Sequence, residues 1–174
     1  MKGQWHPSGW PIVDAGLLMA AIDDVMFVRL EPTISEPGYA RHLIELARAI
    51  DGRNPGVRVG VLYDAMGGAD SDARRRQRAA EVLAARREKL AATTAGFTLA
   101  TESTVMRGVA RAVFWLAPPP YPWAVTASVR EGLVYLRTQM PNLDVDGVLR
   151  EYDTLRARLT ARPSGIPRTS VPRA

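Results

Sequence analysis

The chain has 174 residues, 47% of them apolar, a net charge of +5 and no cysteine. That length supports one domain with a core of its own, and the lack of thiols excludes disulfides and thiolate metal sites. The two histidines, His6 and His42, stand far apart, so His42, on a predicted helix, reads as a surface or core-edge residue rather than a metal ligand.

At the N-terminus, MKGQWHPSGWP lacks the apolar stretch of a signal peptide, and no window approaches the roughly 20 apolar residues that cross a bilayer. A soluble, cytoplasmic protein is expected, with residues 1–14 as an extension ahead of the domain. Residues 15–22 and 25–31 are apolar, β-rich runs separated only by Asp23-Asp24, the spacing of a tight antiparallel hairpin. Beyond Pro32 to Pro37, residues Leu43, Ile44, Leu46, Ala47 and Ile50 recur at helical spacing up to the stop signal DGRNPG. Residues 57–63 form a β-branched run bounded by glycine, read as a strand buried on both faces.

The Gly67-Gly68 loop follows, and Asp70-Ser71-Asp72 supplies capping residues for a single helix over about 71–92. Residues 74–89 hold the whole excess of positive charge: Arg74, Arg75, Arg76, Arg78, Arg86, Arg87 and Lys89 stand against Glu81 and Glu88. A strand is predicted over 97–101 and a helix over 104–116, capped by Ser103 and ended by Pro118-Pro119-Pro120. Residues 123–127 give a last short strand, and Ser128-Val129-Arg130-Glu131 is a capping box opening a helix to Gln139. A C-terminal helix over 145–161 aligns Val145, Val148, Tyr152, Leu155 and Leu159, to pack on the domain or on a second copy. The tail 162–174 has too little apolar content to pack and is expected to be disordered.

An initial hairpin followed by alternating helices and strands demands an α/β fold with a mostly parallel sheet and right-handed crossovers. Val59, Val61, Val109, Val113 and Leu133 are the expected core.

The segments VMFVRLEP, VRVGVLYDA and above all TVMRGVARAVFWLAPPPYPWAVTASVREGLVYL resemble the STAS-like proteins of the SpoIIAA-like group, over about residues 15–140. There a helix of the type R-G-x-x-x-x-x-F-W-L precedes a proline-aromatic turn, a short strand and a closing helix. The resemblance implies a fold related to the anti-sigma-factor antagonists, with residues 141–161 as an added helix. It also implies a regulatory or binding module, not an enzyme, that works through a protein partner without a cofactor.

On a helical wheel, Val105, Val109, Ala112, Val113 and Leu116 share one arc, the expected core face, while Arg107, Arg111 and Phe114 lie opposite with Trp115 beside them. Two readings stay open: the rings are covered by the C-terminal helix or the proline turn, or they form an exposed aromatic and arginine patch. The candidate partner-binding residues are Arg107, Arg111, Phe114, Trp115, Tyr121 and Trp123. Ser71 is a candidate phosphosite by resemblance to the antagonists, although Asp70-Ser71-Asp72-Ala73 departs from their D-S-S-G pattern. Arg74, Arg75 and Arg78 are candidate contacts to an anionic membrane surface, the alternative partner. Nucleic acid is disfavoured, because no stacking aromatics interleave with the arginines and Glu81, within reach of Arg78, makes a solvated helix face. Asp64 and Gly67 lie on the usual ligand side of an α/β sheet, but with neither a Walker lysine nor a dinucleotide fingerprint they read as a turn. Dimerisation, catalytic residues and metal ligands have no sequence signature here.

Overall fold

A computed structural model describes residues 5–14, 16–67 and 72–161. The chain runs β1 (Ile12–Asp14), β2 (Leu17–Ile22), β3 (Val25–Leu30), α1 (Glu36–Asp51), β4 (Val59–Asp64), α2 (Ala73–Ala84), α3 (Arg87–Thr93), β5 (Thr94–Ala100), α4 (Thr104–Leu116), β6 (Trp123–Thr126), α5 (Val129–Gln139) and α6 (Val145–Ala161). The strands form one mixed sheet in the order β1-β2-β3-β4-β5-β6. The first three are antiparallel neighbours and the rest pair in parallel. This is the α/β architecture with an initial hairpin and an extra C-terminal helix that the sequence predicts.

Local chemistry accounts for most boundaries. Asp23 and Asp24 both take positive φ, 48° and 60°, so the two aspartates make the left-handed hairpin turn that glycine usually supplies. Ser35 caps α1, Ser103 caps α4, and Ser128 caps α5 by accepting from Glu131 N at 3.1 Å while the Glu131 carboxylate accepts from Ala127 N at 2.9 Å. The single helix predicted over 71–92 is two helices, broken at Ala85-Arg86. Arg86 there fastens to Asp51 at the end of α1 through two bonds of 2.9 Å, and α3 turns Leu90 into the core. Strand β1 adds an edge that the sequence reading assigned to an extension. The tail 162–174 lies outside the described residues.

Both sheet faces are covered by helices. On one, Met19, Met26, Val28, Val59 and Val61 meet Leu43, Leu46 and Ile50 of α1 and Leu90 of α3. On the other, Leu18, Phe27 and Leu62 meet Leu133 and Leu136 of α5 and all five predicted apolar positions of α6. The C-terminal helix therefore packs back on its own domain.

The second face is joined by a buried polar network. Asp64, with no exposed surface, accepts from Arg29 at 2.9 Å, from Tyr152 Oη at 2.6 Å and from Met66 N at 2.9 Å. Arg29 also donates to Glu31 at 2.7 Å. Burial opposes the Arg29 charge, but the hydrogen bonds to Glu31 and Asp64 outweigh it and hold the guanidinium protonated. Burial, reinforced by the Asp64 charge, pushes the Tyr152 phenol well up, so it stays a donor. The Tyr152 ring stacks on Phe27 at 4.4 Å. At Gly67 a Cβ would stand 2.8 Å from the Arg29 guanidinium, so a larger residue there would have to displace the end of that side chain. Asp64→Ala should therefore destabilise by about 3–5 kcal/mol, the cost of stranding a buried charge. Tyr152→Phe, which keeps the stack, should cost about 1.5–3 kcal/mol in urea titration.

His42 sits deeper than a core edge: it is 2% exposed, and its Nδ1 meets no hydrogen-bond partner. Burial lowers its pKa from 6.5 to about 4. Above pH 6.5 the ring is neutral folded and unfolded. As pH falls below that, only the unfolded chain takes up the proton, so stability is lost down to about pH 4, by on the order of 3 kcal/mol. Glu36 is held below 4.5, chiefly by Arg78, and Asp51 below 3.8, by Arg86, so their stabilisation is lost only at lower pH. Urea titrations between pH 7.5 and 4.5 should show this loss in the natural sequence and a flatter profile in His42→Leu.

Candidate protein-interaction surface

Helix α4 crosses the sheet margin beside β6, the outermost strand, and none of its residues is fully buried. Its orientation inverts the expected one. Phe114 points inward, edge-on to Phe97 at 5.7 Å and against Trp123 at 5.1 Å. Arg107 donates to the carbonyls of Thr101 at 2.9 Å and Glu102 at 2.8 Å, and to Thr104 Oγ1 at 3.0 Å. Arg111 donates to Val125 O at 3.1 Å. These carbonyls lie on β6 and just past β5, and the two guanidiniums reach them only from the side that carries Phe114.

The arc expected to be core faces outward instead. Val105 is 75% exposed, Leu116 76%, Val109 and Val113 52% each, and Trp115, flanking them, 79%. The expectation that Val109 and Val113 are core is thus overturned, whereas Val59, Val61 and Leu133 are buried as predicted. The physical reason lies at the sheet edge: beyond β6 the described residues supply no further layer, so one side of α4 must face solvent. The side kept inside is the one that satisfies the strand-end carbonyls.

The six candidate partner-binding residues divide accordingly. Trp115 is on the surface. Phe114, Trp123 and Tyr121 form a half-buried aromatic cluster around Phe97, with Tyr121 at 6.5 Å from that ring and its phenol pushed up by burial. Arg107 and Arg111 are engaged with backbone. Between α4 and β6 runs a shallow groove of about 510 Å³, lined by Arg111, Ala112, Trp115, Trp123, Ala124 and Val125. Exposed Val105, Val109, Val113 and Leu116 form the outer face that the wheel analysis assigned to the core. Their periodicity was legible, but its direction was not.

The basic segment is tied down. Arg75 donates to Glu36 at 3.1 Å and to Ile34 O at 3.2 Å, Arg78 pairs with Glu36, and both guanidiniums lie over the Tyr39 ring, at 5.0 and 5.6 Å. The Tyr39 hydroxyl donates to Arg75 O at 2.6 Å. Arg78 therefore reaches α1, and Glu81 instead accepts from Gln77 at 3.1 Å. Arg74 lies on the exposed side. Ser71 lies outside the described residues, and Asp72 is the cap of α2, accepting from Arg74 N at 2.8 Å. Among the described residues no group of three His, Asp or Glu is placed to hold a metal ion, and no helix is long and apolar enough to cross a membrane.

Phe114→Ala should destabilise by about 2–3 kcal/mol, below the 3–5 of a fully buried ring because this one is half-buried. Trp115→Ala should stay within about 0.5 kcal/mol of the natural sequence. Thermal and urea unfolding of the two single variants separates the structural ring from the surface ring.

Comparison with family models, with curated proteins and with solved structures finds no match.

Proposed function

We propose that this chain is a cytoplasmic, non-catalytic regulatory or scaffolding module of the STAS-like kind that binds a protein partner through the outer face of α4. The observation that carries this reading is the uninterrupted apolar face Val105, Val109, Val113 and Leu116 with Trp115 at its flank, on a helix whose two arginines donate to backbone carbonyls off that face. Burying apolar surface is worth about 25 cal/mol per Å², and a soluble protein rarely leaves a large contiguous patch uncovered. A single short helix falls short of the roughly 800 Å² that each side of a standard interface buries. The partner therefore also fills the groove between α4 and β6, as an amphipathic helix laid alongside α4 would.

The alternative, a lipid surface, is served less well. Interfacial helices place basic residues beside their apolar face. On α4 the arginines point to the sheet instead, and Arg75 and Arg78 of α2 are bound to α1. The resemblance to SpoIIAA-like proteins supports the protein-binding reading, since it rests largely on this helix and turn.

Val109→Gln with Val113→Gln should leave stability within about 0.5 kcal/mol per site and remove partner binding. The check pairs affinity purification from the native host, using intact and variant protein, with sedimentation analysis of self-association and flotation on anionic vesicles. A partner, or a second copy, retained by the intact chain and lost in the variant is the expected outcome. Flotation that depends on these valines, with no protein retained, would replace this reading with the lipid one.

A further inference from the structure

On the same side of the sheet as α4, a cavity of about 120 Å³ lies between the sheet and helices α1, α2 and α3. Val61 and Phe97 of the sheet, Leu46 of α1, Leu90 of α3, and Ala79 and Leu83 of α2 contribute to its predominantly apolar wall. Tyr39, Tyr63, Tyr121 and His42 bring polar atoms to the lining, and of these His42, 2% exposed, has an Nδ1 with no hydrogen-bond partner in the protein. An unsatisfied buried polar group costs about 1–3 kcal/mol, and replacing it by an apolar side chain would avoid that cost. Burial keeps the ring neutral near pH 7, so it offers a hydrogen bond without a charge.

The cover over this cavity is α2, which packs less deeply than α1 or α3. Helix α2 buries none of its residues fully. It is held by the Arg75 and Arg78 pairs with Glu36, which is itself 58% exposed, by the Arg75 bond to Ile34 O, and by the Tyr39 ring and hydroxyl. Exposed ion pairs of this sort contribute little. Leu83 lines the cavity and is 37% exposed, so the wall reaches solvent at α2.

We infer that this cavity is a binding site for a small uncharged aromatic molecule, of about the size of phenol, whose one polar group bonds to His42. Size supports the class: an apolar cavity of roughly 150 Å³ in a protein interior takes benzene. Shape and chemistry support it further, since Phe97, Tyr39, Tyr63 and Tyr121 offer ring edges or faces and the rest of the wall, His42 apart, is apolar and non-aromatic. The site is separate from the outer face of α4, and its test does not depend on that face.

The experiment uses the full chain at pH 7.5, with phenol and benzene as probes, followed by isothermal titration and thermal unfolding. Both should bind and raise the melting temperature, phenol about tenfold more tightly, the worth of one hydrogen bond. In His42→Leu the tenfold preference should vanish while benzene still binds. In Ala79→Phe, which fills the cavity from α2, both should be lost with the circular dichroism unchanged. If that variant does not fold, chemical-shift changes at Val61 and Ala79 in the natural sequence should locate the probe, and changes confined elsewhere overturn the site. Absence of binding by either probe at millimolar concentration overturns the proposal, as does a phenol preference that survives in His42→Leu.

Discussion

The architecture turns on one buried carboxylate. Asp64 ends the central strand β4 and is shared by Arg29 of β3 and Tyr152 of α6, residues 35 and 88 positions away in sequence. A charge with no exposed surface is tolerable only when its lone pairs are taken up, and here a guanidinium, a phenol and a backbone N–H do so. The consequence is topological: α6 cannot leave the sheet without taking one of the three donors from that charge. With α6 stacked through Tyr152 on Phe27, and α5 beside it, one face of the sheet is closed.

The contrast between the two sides of the sheet is physical. On the α5 and α6 side, glycines stand where helix and sheet come close: at Gly96 a Cβ would meet Gln139 and Leu136 at 3.2 and 3.3 Å. The opposite side carries α2, held by exposed ion pairs over a cavity, and α4, whose apolar outer face lacks a covering layer among the described residues. Such loosely covered elements are where local opening and ligand exchange are drawn from.

Helix α4 shows how a strong local signal can be read in the wrong direction. A wheel ranks faces by hydrophobicity and sends the most apolar one inward, which is sound when the helix has a full sheet beneath it. Here the helix rests on a four-residue edge strand. What decided its rotation were carbonyls at the strand ends, which Arg107 and Arg111 satisfy, and a seat for Phe114 between Phe97 and Trp123. That seat requires Phe97 and Trp123 to be register partners across β5 and β6, as they are.

The sequence by itself determined the elements, since capping serines, prolines, turn aspartates and hydrophobic periods act within a few residues of where they are written. The hairpin at Asp23-Asp24, the helix from Ser103 to the prolines, the capping box at Ser128 and the buried stripe of α6 were all legible for that reason. The α/β class followed from their order. Only the tertiary structure decided the direction in which α4 faces, the break between α2 and α3, the engagement of Arg75 and Arg78 with Glu36, and the burial of His42 and Asp64. Each of these depends on a partner outside the element itself, and the energy of a buried charge or an unpaired ring nitrogen is set by what the fold brings beside it, which no local pattern encodes.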